Sequence, residues 1–322
     1  MMAGADPPAR PDPAGRQDGA GAPLVTRAGL AKAALDVLRA AFVAAVVISF
    51  AVLWFFNPRS GRALFVVVPL AALATFPRVR AVLWIWALYI IGFLVFIDLR
   101  MVSAEVFFPA RYDYVIALER LLFLGRVPTV WLQERWYRLG APTFFDLSLV
   151  GVHFSFFLAP HAIAAYLWWA RREAFARYVV ALVAMCWVGL LMAFVLPTAP
   201  PWLAAQEGRL PHVYRIIRDV VLQATPETYT AAYRAVGENA VAAMPSLHAA
   251  LTFLIALGLI GTKRWLTVIG GVYFAAMSLA LVHLGEHYVV DILAGVACAW
   301  LIWRLTAPLA ASRHADPADD FA

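Results

Sequence analysis

Eight apolar runs recur along the chain, at about 38–56, 63–76, 82–97, 144–169, 178–197, 246–262, 265–283 and 288–305. Several approach the roughly 20 residues that a helix needs to cross a bilayer. No single water-soluble core takes up that much apolar length. Of the 322 residues, 63% are hydrophobic and 14% charged, and a soluble domain of this size exposes more charge than that. The predicted fold class is an all-α polytopic membrane protein of about eight transmembrane helices. Collagen-like, disulfide-rich and wholly disordered chains are excluded by the same composition. The 12 Trp and 11 Tyr suit aromatic belts at the two membrane surfaces. The two cysteines, Cys186 and Cys298, sit inside apolar runs with no CxxC or Cys/His spacing, and read as small buried hydrophobes.

The first 24 residues hold five Pro and four Gly and little to bury, so the segment before the first run is expected to be disordered, without signal-peptide cleavage. A net charge of +6 would point to nucleic acid in a soluble chain. Here the basic residues fall in short loops: Arg27, Lys32 and Arg39 before the first run, then Arg78 with Arg80, Arg171, Arg172 with Arg177, Lys263 with Arg264, and Arg304 with Arg313. With eight crossings all of these lie on one side, which is then the cytoplasm, with both termini. Arg59 and Arg62 go against the rule. No nucleic-acid partner is expected. Two long outer segments remain, 98–142 and 198–245. The first, Tyr112 to Gly140, mixes Leu and Val at helical spacing with Trp131, Arg135, Trp136 and Arg138, a composition suited to helices in the headgroup layer.

The informative residues are few. Ala243-Met244-Pro245-Ser246-Leu247-His248 opens the sixth run, and His283-Leu284-Gly285-Glu286-His287-Tyr288-Val289-Val290-Asp291 joins the seventh to the eighth. Both fall at the outer face. His287 and Asp291 are four apart, so if the eighth span is helical from there they share one face, and the carboxylate can fix the imidazole tautomer and raise its basicity. His283 extends that stripe if the backbone stays helical through Gly285. Such groups are costly at a membrane boundary unless paired or wetted, which predicts a polar pocket between the last three spans, open outward. With His287 as nucleophile, Asp291 orienting it and His248 as proton donor, the set can displace a group at phosphorus through a phosphohistidine.

Ser246, at a helix start, can offer its hydroxyl and neighbouring backbone N–H groups to a phosphate oxygen. Asp146 and His153 are two turns apart on one face reaching in from the outer surface, with His161 deeper. The candidate substrate-binding set is therefore Ser246, His283, Asp146 and His153. Taken singly, His153, His161 and His212 also read as satisfied interfacial histidines. Glu286 should point away from His287 into solvent.

PSLH and HYVVD resemble the second and third signatures of the type 2 phosphatidic acid phosphatase superfamily, which also includes vanadium haloperoxidases. In that superfamily the His of the HxxxD element attacks phosphorus, its Asp orients it, and the His of the PSGH-like element protonates the leaving oxygen. By position these are His287, Asp291 and His248. The resemblance implies a six-helix core over 82–307, with 1–37 a cytoplasmic N-terminal segment, 38–81 an accessory transmembrane hairpin and 308–322 a cytoplasmic tail. Interfacial helices would lie on the outer face.

The departures are specific. The superfamily's first signature, a Lys followed by Arg-Pro, falls at Met192 to Trp202, where this chain reads MAFVLPTAPPW. Ala280 and Leu281 replace the Ser-Arg of the third signature, and Leu247 replaces the Gly of the second. These absences resemble the inositol phosphorylceramide synthase branch, as do LGRVPTVWLQ (Leu124 to Gln133) and Asp146, His153 and Pro160. A site without that clamp suits a monoanionic phosphodiester better than a dianionic monoester. Arg209, Arg215, Arg218 or Arg234 would replace the clamp if one folded inward.

The expected activity is transfer of a phospho-headgroup, of phosphoinositol type, from a phospholipid donor to a lipid alcohol acceptor, with no metal and no cofactor. Water in place of the acceptor gives the alternative, a metal-independent lipid phosphate phosphatase. From other classes, two His and an Asp could supply three zinc ligands, and a proton-coupled transporter would place such groups near mid-bilayer.

Overall fold

Helix is the only extended regular element among the described residues, 80–102, 108–224 and 239–307, of the computed structural model. All of them belong to one of the two units into which the chain divides, Ala44–Ala322. The first two expected spans, the N-terminal segment and the tail lie outside the described residues. Eleven helices are described: α1 Arg80–Val102, α2 Asp113–Leu122, α3 Pro128–Trp136, α4 Phe144–Ser155, α5 Ala159–Ala170, α6 Arg172–Val195, α7 Pro201–Gln206, α8 Ile216–Ala224, α9 Leu247–Leu259, α10 Arg264–His283 and α11 Val289–Leu305. Pairing outside helices is limited to two isolated bridges that join Arg111, Thr198 and Ala242.

By length and composition α6 and α10 can each cross a membrane, and α4 with α5 makes a third crossing if the pair, bent by 52°, counts as one span. Shorter apolar helices are Ile85–Ile97, within α1, and α9. The bend has a local cause. Pro160 stands in the first turn of α5 and has no N–H to continue the ladder from α4. The start of α4 is fixed by a capping box, in which Thr143 accepts from the Asp146 N–H and the Asp146 carboxylate accepts from the Thr143 N–H at 2.7 Å.

Helix α9 lies at the centre, packed on α6, α10 and α11, while α6 also packs on α1 and α5, and α4 on α10. Ala249, Met277, Leu281 and Ile292 interlock where α9, α10 and α11 meet. Basic side chains tie one end of these helices together. Arg171, between α5 and α6, donates to the Gly261 carbonyl between α9 and α10, and Arg177 donates to the Trp303 carbonyl of α11 at 2.6 Å. Histidines 153, 248, 283 and 287 belong to the other end. There α2 packs on α11 and α3 on α10. Helix α2 buries Val115, Ile116 and Glu119 and exposes Leu118, Leu121 and Leu122.

Candidate active site

The site is organised by where α9 and α11 begin. Ser246 is the N-cap of α9 and accepts from the Ala249 N–H at 3.3 Å, while its own N–H donates to the Asp291 carbonyl at 3.0 Å. This crossing requires Gly295. A Cβ there would stand 2.5 Å from the Ser246 carbonyl oxygen. The close approach of the two backbones sets His248 against His287, with ring centroids 5.8 Å apart. His153 of α4 joins them, its ring 4.7 Å from that of His248, and the Phe156 ring packs on His248 at 4.2 Å.

Helix α10 ends at His283 because Gly285 adopts φ +82°, and a Cβ at Gly285 would lie 2.7 Å from the Tyr214 carbonyl oxygen. The N–H groups of Glu286 and His287 both turn back to the Leu281 carbonyl. Helix α11 starts only after Tyr288, whose N–H donates to Asp291 Oδ2 at 2.9 Å. His287 Nδ1 stands 3.5 Å from the same oxygen, within ion-pair reach and beyond a formed hydrogen bond. His287 is 6% exposed and Asp291 fully buried. His248, His287, Asp291, His153 and Ser246 are thus brought to one place.

His283 and Asp146 meet each other instead. His283 Nε2 lies 2.7 Å from Asp146 Oδ1, both side chains are fully buried, and the Phe145 and Trp136 rings stand against the imidazole. The helical stripe expected through Gly285 does not form, since the turn there rotates His283 away from His287 and toward α4. His161 is satisfied by the Tyr89 hydroxyl of α1 and flanked by Phe93, while His212 is exposed.

Glu286 is a correction. Helix geometry alone points it to solvent, but it is 13% exposed and bound in fork geometry by Arg215, Nε to Oε1 at 2.8 Å and Nη2 to Oε2 at 3.2 Å. Arg215 does turn inward, stacked 4.4 Å over the Trp202 ring of the PTAPPW segment. The reason is tertiary: residues 213–216 run along the turn at 283–286. The Gln133 amide nitrogen donates to the carbonyls of Tyr214 and His283, its oxygen accepts from the Tyr214 N–H, and the Ile216 N–H donates to the Leu284 carbonyl.

Sequence reasoning also missed Glu119. Its carboxylate is fully buried and accepts from the Val289 and Val290 N–H groups, each at 3.1 Å. Burial pushes its pKa up to about 7, against the pull of those two hydrogen bonds, with Asp291 adding to the rise. A signal was available. Glu119 stands three and four residues after Ile116 and Val115, an acid on the apolar face of an amphipathic helix. Arg215 and Trp202 carried no such signal, since their meeting depends on a loop path. Among the described residues no cluster of three or more His, Cys, Asp or Glu side chains is arranged to hold a metal ion.

No solved structure matches the chain. It is similar to the phosphoinositol dihydroceramide synthase of Bacteroides thetaiotaomicron, 29% identical over 139 residues, which are 41% of this chain and 46% of that protein. The chain thus spans less than half the length of that relative. The pattern of the PAP2 superfamily matches residues 113–305. That stretch runs from the first residue of α2 to the last of α11 and contains every group of the site, and the chain belongs to the PAP2 superfamily.

Proposed function

We propose that this protein is a membrane phosphotransferase that moves a phosphoinositol-type headgroup from a phospholipid to a lipid alcohol. The observation that carries the reading is the facing pair of imidazoles, His248 and His287, within one phosphate's reach and with a carboxylate behind one of them. Asp291 stands at Nδ1 of His287, which leaves Nε2 to attack phosphorus. The N–P bond forms as the bond to the diacylglycerol oxygen breaks, and His248 gives that oxygen its proton. His248, now without its proton, takes one from the lipid alcohol, whose oxygen attacks phosphorus and frees His287. The donor and the acceptor are both lipids of the bilayer.

Charge favours a diester over a phosphate monoester. The PTAPPW segment brings Trp202 where a cation is absent, and the inward Arg215 already has its charge met by Glu286. Arg209 and Arg218 are exposed, Arg234 lies outside the described residues, and Arg100 acts on His248 from α1; an Arg215 already met by Glu286 suits a monoanionic diester better than a dianion. The name of the Bacteroides relative, a phosphoinositol dihydroceramide synthase, supports the same choice.

The reading includes eight crossings around a six-helix core, both termini in the cytoplasm and the site at the extracytoplasmic face. Its support is the separation of Arg171 and Arg177 from the histidines, at opposite ends of the same helices. The test is purified protein given labelled phosphoinositide or labelled phosphatidate, with and without a lipid alcohol, as wild type and His287→Ala. Diacylglycerol release from the phosphoinositide that depends on the alcohol, and is lost in His287→Ala, is the expected result. Turnover of phosphatidate alone, with free phosphate, would replace this reading by the hydrolase.

A further inference from the structure

The first turn of α11 is held from outside its own helix. Three successive backbone N–H groups, of Tyr288, Val289 and Val290, are taken by two carboxylates: Asp291 of the same helix takes the first and Glu119 of α2 the other two. A helix start normally leaves such donors to water or to a bound anion. Here they are spent, so the beginning of α11 is an anchorage and offers no phosphate site. What it anchors is chemical, because Asp291 is in that turn and His287 immediately precedes it.

We propose that Glu119 is a positioning residue, which holds the first turn of α11 so that Asp291 Oδ2 stands at Nδ1 of His287. The inference rests on the transferase reading only in taking His287 as the nucleophile. The side chain is suited to the task because it is short of freedom. It is fully buried, it uses both oxygens, and it comes from a helix whose Val115 and Ile116 pack with Tyr288 and Val290 in one apolar cluster. A single N–H bond would let the turn pivot, and two adjacent ones do not.

Protonation would undo half of this, since a carboxylic acid has one good acceptor oxygen and a hydroxyl that opposes the second N–H. The charged and titratable groups acting on this corner are Asp291 and Tyr288 at the helix start and Arg120 beside Glu119 on α2, and both Asp291 and Arg111 act on Tyr114 of α2. The apolar cluster around Tyr288 supplies no charge. With the carboxyl titrating at about 7, the grip tightens as pH rises through neutrality.

The experiment compares full-length Glu119→Gln and Glu119→Asp with wild type and with Glu134→Gln, an exposed glutamate on α3. In Glu119→Gln, kcat for whichever lipid the wild type turns over is expected to fall roughly 10- to 100-fold with KM little changed. The inflection near pH 7 in the kcat profile disappears, and Glu119→Asp restores part of the rate. The ring signals of His287 in histidine-labelled protein move, while those of His161 stay. Wild-type kcat, pH profile and His287 signals in Glu119→Gln would overturn the proposal.

If Glu119→Gln does not fold, the wild type decides. Its Val289 and Val290 amide signals must shift together with a midpoint near 7 between about pH 5.5 and about pH 8.5, and their failure to do so overturns it equally. A wild type that turns over neither lipid counts against the transferase reading, and the His287 and amide signals still decide Glu119.

Discussion

A buried carboxylate beside an imidazole matters through the proton it fixes. Asp291 is fully buried and its Oδ2 faces His287 Nδ1. Asp291→Asn keeps the shape and offers an amide there, which allows the wrong tautomer. Turnover of labelled phosphoinositide is expected to fall roughly 100- to 10,000-fold with the fold retained by circular dichroism. Glu119 yields a prediction of a different kind. Its pKa rises on folding from 4.5 to about 7, so the folded chain holds that proton more tightly than the unfolded one does. Stability contributed by the proton is present below about 4.5 and lost as pH rises to about 7, a change of about 3 kcal/mol. Thermal unfolding in detergent at stepped pH is expected to display this loss in wild type and not in Glu119→Gln. The ionised form therefore costs stability while it grips the helix. The pairing of His287 with Asp291 was legible in the HxxxD spacing, but not through a shared helix face: α11 begins only after Tyr288, so His287 reaches Asp291 from the turn before the helix. Glu286 was misread because its partner, Arg215, is 71 residues away and reaches it only through a loop path.

Helix ends, more than helix middles, decide this site. Ser246, Gly285 and Tyr288 stand where α9 begins, α10 stops and α11 begins, and those three points set the directions of His248, His283 and His287. Ser246 was legible as a helix start, whereas the end of α10 was not: a stripe through Gly285 required helical backbone there, and that glycine is left-handed. The α4–α5 bend at Pro160 was also within reach of the sequence. Two glycines separate crowding from helix propensity. In Gly295→Ala the new methyl meets the Ser246 carbonyl, so α9 and α11 must part, and a loss of about 1–3 kcal/mol together with reduced turnover is expected. Gly271, inside α10, has nothing within 4 Å of its would-be Cβ. Gly271→Ala is expected to raise stability by up to about 1 kcal/mol and leave turnover unchanged. Paired melting curves and rates of the two variants make the check.

For the whole molecule, apolar length announced helices able to cross a bilayer, and the described residues carry two that are long and apolar enough, or three with the bent pair. Their arrangement was less legible: that α9 is central, touching α6, α10 and α11, follows from small residues at crossings such as Ala249 and Gly295, which no periodicity reveals. The basic end and the histidine end give a topology that labelling can test. With a membrane-impermeant thiol reagent on intact cells, His212→Cys is expected to react and Lys263→Cys to react only after permeabilisation; the reverse would invert the assignment. The separation of those two ends has a further consequence. A donor and an acceptor that both reach phosphorus from the histidine end must come from the same leaflet, so liposomes with the alcohol confined to the opposite monolayer would yield product only as fast as that alcohol flips across.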